Sequence, residues 1–308
     1  MPQKVILVAD PGIDTAFAIA LALHDPNLDV LGLLATAGNV GADQATSNVH
    51  ILIDQLDPPK WPRLGAAPQV EYELDGTALH GPDGLGGVTV ACTKLHSPTP
   101  SDKLLVELVR ENAKEVTVIN LGPLTVLARA LALDPEWPNL VERVVCLGGT
   151  WHEPGNASAV AEFHFACDPA SARRVLRCGT PITLIPLDVT RKVVFSPSAL
   201  LELPGGDEGP CRFLRQIIPF GIRATANQYG VEGFHLKDVL GVFALVRPGA
   251  LTTRAVFVDV ETQGELTRGM SIVDLRPTPA GRPNVNLATG VDVAEVHQYM
   301  ERTLGGPG

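Results

Sequence analysis

Lys4-Val5-Ile6-Leu7-Val8-Ala9-Asp10-Pro11-Gly12-Ile13-Asp14-Thr15 is the stretch on which the reading of this chain turns. After Lys4 it is uninterruptedly apolar as far as Ala9, the pattern of a strand buried on both faces of a parallel sheet. Beyond the Pro11-Gly12 turn, Ile13, Phe17, Ala20, Leu21 and Leu23 recur at roughly helical spacing, which predicts a strand, a sharp turn and a helix. Asp10 then stands at the carboxyl end of the strand and Asp14 at the start of the helix. Open α/β sheets bind ligands at that end, and a carboxylate beside a helix N-terminus is stabilised by the backbone N–H groups there. Alone, Asp14 reads as a helix-start residue. Taken with Asp10 and with the polar residues downstream, it predicts an acidic site at a strand-to-helix junction.

The same unit recurs. Val30-Leu31-Gly32-Leu33-Leu34-Ala35 leads into Thr36-Ala37-Gly38-Asn39 and a candidate helix through Asn48 to Leu56. Val116-Thr117-Val118-Ile119-Asn120-Leu121 leads into Gly122-Pro123-Leu124-Thr125 and a helical run from Val126 to Leu133, and Val144-Val145-Cys146-Leu147 ends in Gly148-Gly149. Repeated strand-turn-helix units predict an α/β fold, a mostly parallel sheet flanked by helices whose right-handed crossovers bring the carboxyl ends of the strands to one rim. No linker or low-complexity stretch divides the chain, so one domain over residues 1–308 is expected. Asp57-Pro58-Pro59-Lys60 and Leu203-Pro204-Gly205-Gly206-Asp207-Glu208-Gly209-Pro210 read as loops, and roughly Ser196 to Gly233, without strand signals, reads as helices and a loop over the pocket.

Composition narrows the function. The 308 residues are 45% hydrophobic, enough for a large core, and the net charge of -10 argues against a partner with a phosphate backbone. Cys92, Cys146, Cys167, Cys178 and Cys211 form no CxxC pair and are odd in number, which argues against a disulfide framework. His164 and Cys167 have the spacing of a metal pair but lack a second pair. Met1-Pro2-Gln3-Lys4 runs straight into the first strand and no long apolar span follows, so no membrane partner and a cytoplasmic location are expected. Gly84-Leu85-Gly86-Gly87 follows no strand and lacks the spacing of a pyrophosphate loop. Asp10 lacks the second aspartate two residues on that a phosphatase nucleophile would have, since Gly12 stands there.

Asp10-Pro11-Gly12-Ile13-Asp14, Ala37-Gly38-Asn39-Val40, His80-Gly81-Pro82-Asp83-Gly84-Leu85-Gly86, Gly122-Pro123-Leu124-Thr125, Pro154-Gly155-Asn156 and Ala161-Glu162-Phe163 occur in this order. They are followed by Pro186-Leu187-Asp188-Val189-Thr190, the segment 233–241 and Thr267-Arg268-Gly269-Met270-Ser271-Ile272-Val273-Asp274. In this the chain resembles, over nearly its whole length, the inosine-uridine type nucleoside hydrolases. The resemblance implies an open Rossmann-like sheet, a homodimer or homotetramer, and hydrolysis of the N-glycosidic bond of a ribonucleoside or related ribosyl compound. It implies Asp10 as the base that activates water, and Asp14, Asn39, Asn156 and Glu162 as ribose-binding groups. It also implies a calcium ion held by Asp10, Asp238 and the backbone carbonyl of Thr125.

The departures cluster in the expected pocket. Val8 and Thr15 stand where the family's opening cluster has aspartates, Lys237-Asp238 stands for its late His-Asp pair, and His164 replaces the Asn after Ala-Glu-Phe. Calcium wants about six to eight oxygens, several of them charged, and two carboxylates are gone while an ammonium has arrived. Thr15 could offer only a neutral oxygen. For activation of the leaving group the candidates are Lys237 and His164, the latter with an ordinary pKa near ~6.5 suited to proton transfer. Tyr229 borders the expected pocket but reads first as packing. Two functions stand at this point: a hydrolase with a rebuilt site, in which Asp10 does the proton work, and an inactive relative that binds nucleoside or sugar without the calcium site. Purine and pyrimidine bases both stay open, because base contacts come from loops.

Overall fold

β1 (Gln3–Ala9) is an interior strand, paired in parallel with β2 (Leu28–Ala35) on one side and β5 (Val116–Asn120) on the other. From β2 the sheet continues through β3 (Arg63–Ala66) to β4 (Thr99–Pro100), and from β5 through β6 (Arg143–Leu147) to β7 (Ile182–Ile185), all parallel. β8 (Val194–Phe195) and β9 (Phe234–His235) pair apart from it. β10 (Leu251–Val260), β11 (Ser271–Asp274) and β12 (Val285–Val291) complete a ten-stranded order β11-β10-β12-β7-β6-β5-β1-β2-β3-β4, in which only β10 runs antiparallel to its neighbours. This computed structural model describes residues 1–90, 98–203, 210–279 and 281–305. Cys92 and most of the loop read over 203–210 lie outside the described residues.

The chain winds from β1 outward to β4 and then restarts at β5 on the opposite side of β1. Crossovers therefore leave in opposite directions at the β1/β5 boundary, which opens a crevice above the carboxyl ends of these two strands. The register sets Val8 beside Asn120 and Ala9 beside Ala35, so the segments after β1, β2 and β5 emerge together.

Why these strands form is plain from their burial. Val5, Leu7 and Ala9 enter one apolar cluster and Ile6 and Val8 the other, as the alternation of a strand buried on both faces requires. One cluster is completed by helices 13–24, 42–56, 210–229, 239–246 and 293–304, the other by helices 101–111, 125–133 and 169–176. Helix 13–24 is buried from Ile13 to Ala22 on every side, packed against helices 239–246, 210–229 and 293–304. Its period in the sequence is real, but burial all round explains why alanines fill the gaps. The segment read as helices over the pocket is helices 197–202 and 210–229, the latter ending at Tyr229. Among the described residues no helix is long and apolar enough to cross a membrane.

Leu7 is fully buried in β1, whereas Ile272 in edge strand β11 is 45% exposed. Leu7→Ala is expected to cost about 2–5 kcal/mol in urea unfolding and Ile272→Ala no more than about 1, and equal costs would contradict this layering.

Candidate active site

Asp10 leaves β1 with no exposure to solvent. Its carbonyl accepts Asn39 Nδ2 at 2.9 Å, and its Oδ2 accepts the Asn39 backbone N–H at 3.2 Å, so the loop after β2 fixes the aspartate through one residue. The fit is close. A Cβ on Gly38 would overlap the Asp10 carboxylate, and one on Gly122, in the loop after β5, would stand 3.0 Å from its Cγ. Asp10 Oδ1 is buried without a hydrogen-bond donor. Burial foremost, and the neighbouring Asp14, raise the Asp10 pKa, while His164 and the Asn39 N–H act against the rise.

Asp14, in the first turn of helix 13–24, is 5% exposed and its Oδ1 is likewise buried without a donor. His80 Nδ1 lies 3.7 Å from that oxygen, but the Ile13 backbone N–H donates to the same Nδ1 at 3.0 Å. Burial outweighs the Asp14 charge, and with help from Lys237 and His164 it pushes His80 down to about 4. A neutral His80 therefore presents a lone pair at Nδ1 and leaves Asp14 Oδ1 without a partner. Two desolvated carboxylate oxygens in one turn of chain are costly unless a ligand or water supplies donors.

The opposite wall follows β6. Glu162 caps helix 163–167: its Oε2 accepts the N–H groups of Phe165 and Gly149 at 3.2 and 3.0 Å. His164 is buried between two acids, with Nε2 3.6 Å from Asp10 Oδ2 and Nδ1 3.8 Å from Glu162 Oε1. Burial by itself lowers the His164 pKa, but Glu162, Asp10 and Asp238 together overcome it and push it up to about 10. The titration near ~6.5 expected of a leaving-group acid is not met, because the fold seats this side chain as a cation among carboxylates. Asn156 Oδ1 accepts the Phe163 N–H at 2.9 Å. Asp188, after β7, accepts the N–H groups of Trp151, His152 and Glu153 and the Thr150 hydroxyl, and so anchors the loop that leads to Asn156.

These residues enclose one cavity. Asp14, Asn39, Asn156, Glu162, His164, Lys237 and Asp238 line it, so the structure gathers most of the positions read from the sequence, with Asp10 directly behind them. Thr125 is not on the cavity wall; its hydroxyl donates to Asp168 at 2.6 Å and meets the Tyr72 hydroxyl at 2.7 Å, bonds that leave its backbone carbonyl, the oxygen implied for calcium, uninvolved. His80 and Tyr229 line the cavity too and carried no role in the sequence reading. For His80 the signal was its place beside the Gly81-Pro82-Asp83-Gly84 turn. For Tyr229 it was the end of an apolar helical run.

The implied calcium does not fit the oxygens present. Thr15 Oγ1 donates to Asp238 Oδ2 at 2.6 Å, so the hydroxyl is spent on a carboxylate. Asp10 Oδ2 already holds the Asn39 N–H and faces His164. Among the described residues no group of three or more His, Cys, Asp or Glu side chains could hold a metal ion. Asp238, 3% exposed, has its pKa raised well above the usual carboxylate range by burial and by Asp14 and Asp10, against His164 and the Thr15 bond. The implied ligand set offers only two carboxylates, Asp10 and Asp238, each already engaged by this chain's own donors, short of the several charged oxygens a hard divalent cation takes.

Comparison with known proteins agrees with this fold. The family model described as inosine-uridine preferring nucleoside hydrolase matches residues 5–298. A probable uridine nucleosidase 2 from Oryza sativa subsp. japonica is 34% identical over 98% of this chain and 93% of its own length. The non-specific ribonucleoside hydrolase RihC of Escherichia coli is 33% identical over 99% of both chains. Among solved structures, a plant nucleoside hydrolase, PpNRh1, superposes with a TM-score of 0.91 at 29% identity over the whole of both chains.

The charge on His164 has a measurable consequence. Its folded pKa of about 10 stands above the ordinary 6.5, so its contribution to stability is complete below 6.5 and is lost as the pH rises to about 10. The stability gap between wild type and His164→Gln in thermal melts is expected to shrink over that window; a gap independent of pH contradicts a charged His164.

Proposed function

The chain belongs to the inosine-uridine preferring nucleoside hydrolase family, and we propose that it hydrolyses the N-glycosidic bond of a ribonucleoside or related ribosyl compound with Asp10 as the base. The observation that carries this assignment of roles is the pair of buried carboxylate oxygens without donors, Asp14 Oδ1 on the cavity wall and Asp10 Oδ1 directly behind it. Vicinal sugar hydroxyls and a water molecule are the donors that such a pair lacks.

In this reading Asp14, Asn156 and Glu162 grip the ribose. Asn156 still has its Nδ2 to donate and Glu162 its Oε1 to accept. Asn39 serves chiefly by holding Asp10, since its amide nitrogen is bonded there. Water lies against Asp10 Oδ1. As the bond from C1′ to the base nitrogen lengthens, positive charge develops on the sugar, as in other glycoside cleavage. Asp10, Asp14, Glu162 and Asp238 surround that region with four carboxyl groups against the single imidazolium of His164. Fixed charges in a dry site stabilise such a transition state without reorganising. The water oxygen then bonds to C1′ and its proton passes to Asp10, whose raised pKa makes it a stronger base than a solvated carboxylate. His164 keeps Asp10 ionised and in place; no step is assigned to a metal, because the donor set does not fit one. The expected homodimer or homotetramer rests on the family resemblance, and the cytoplasmic location on unpaired Cys146, Cys167, Cys178 and Cys211.

Release of free base, followed by chromatography over a panel of ribonucleosides, tests the roles. Asp10→Asn is expected to lower kcat about 10²–10⁴-fold with substrate binding retained, whereas Asp14→Ala is expected to act mainly on KM. Undiminished turnover by Asp10→Asn would remove Asp10 from the mechanism.

A further inference from the structure

A second cavity opens beside the first, and the two share Asp14, His80, Asn156, Leu187, Tyr229 and Lys237. Leu79 lines both as well; the remaining walls of the second are largely apolar, with Val231 and Phe234 among them, and they also carry Arg191 and His235. Arg191 is already paired, 3.3 Å from Glu153. Lys237 is different. It is half-buried, lines both cavities, and makes no hydrogen bond or ion pair among the described residues, although Asp14, Asp75, Glu162 and Asp238 line the same space. An ammonium on a partly apolar cavity wall, with no hydrogen bond or ion pair holding it to these carboxylates, can turn its charge toward an anion arriving there.

The combined space is therefore polarised. Glu162 and Asp238 line only the first cavity, with buried Asp10 behind it, while the second is largely apolar; Asp14 and Lys237 stand where the two meet. Cleavage of an N-glycosidic bond separates charge in the same sense, positive on the sugar and negative on the departing ring. Flat apolar walls with one cation suit an aromatic heterocycle that leaves as an anion.

We infer that Lys237 holds the departing base as an anion by its fixed charge, so that the substrates of this site are ribosyl compounds whose free base is an acidic N–H heterocycle. This rests on the hydrolase reading above and deepens it. The C1′–N bond breaks with its electron pair passing to the base nitrogen, the water oxygen bonds to C1′, and the water proton goes to Asp10. Ribose, the base anion and a protonated Asp10 are the products, and no acid is needed on the leaving-group side.

The test is kcat/KM over 5-fluorouridine, uridine and cytidine, similar in shape and falling in base acidity, with p-nitrophenyl β-D-ribofuranoside as a ribosyl donor whose leaving group is already a good anion. Wild type is expected to drop about tenfold or more at each step of the pyrimidine series. Lys237→Met is expected to lower the rate on all three about 10²–10³-fold with the same spacing between them, as for removal of one preorganised charge. Lys237→Arg, which keeps the charge, is expected to stay within about tenfold of wild type. A wild-type rate that is flat across the series, or a Lys237→Met loss confined to the least acidic bases, overturns the inference, since either is the mark of a proton donor. Turnover of the nitrophenyl riboside with a flat series sinks this inference alone; no turnover of any of the four compounds sinks it together with the hydrolase reading.

Discussion

Everything at this site depends on a carboxylate kept from water. Asp10 ends an interior strand, and the loops after β2 and β5 close over it so tightly that two glycines are needed to admit its side chain. A buried charge in that position must be compensated. The Asn39 backbone N–H supplies one hydrogen bond to the carboxylate, its amide a second to the Asp10 carbonyl, and His164 a positive charge, yet one carboxylate oxygen stays without a donor. The scaffold thus holds an incompletely satisfied base, and its stability comes from the apolar layers on both faces of the sheet rather than from the site itself.

The departures from the family pattern form one electrostatic pattern. The pocket expected around Val8 is not found there, since Val8 packs in the apolar cluster on one face of the sheet; the loss of an acid that bears on the site is at Thr15. Thr15 satisfies Asp238 directly, and His164 sits between Asp10 and Glu162 as an internal cation. On the proposed reading, His164 takes the place of the positive charge that a divalent ion would bring. Lys237, next in sequence to Asp238, lines both the acidic cavity and the largely apolar one beside it, where the inferred anionic base would meet its charge. Such preorganised charge is the largest source of rate in many enzymes.

Much of this was legible in the sequence, for physical reasons that differ by element. β1, β5 and β6 announced themselves because an interior parallel strand is apolar throughout, and their observed ends differ from the reading by a residue or so. β10 and β12 did not: Thr252, Thr253 and Arg254 lie on an exposed antiparallel stretch whose polar residues mask the strand period. Asp10 and Asp14 were legible because a single turn of chain carries both. The altered character of His164 was not, since it comes from acids on three separate segments that only the fold brings together. Lys237 was visible as a substitution. Its lack of a partner, and its place on the boundary between two cavities, required coordinates.

The most direct measurement is hydrolysis of p-nitrophenyl β-D-ribofuranoside by protein dialysed exhaustively against a chelator, with the metal content of the same sample determined by mass spectrometry. If Asp10, Asp14 and the His164 cation make up the working site, nitrophenolate is released at the undialysed rate by protein holding far less than one equivalent of calcium, and Asp10→Asn abolishes the release. Loss of turnover on chelation, restored by one equivalent of calcium, would contradict that claim and return the chemistry to a metal-held water.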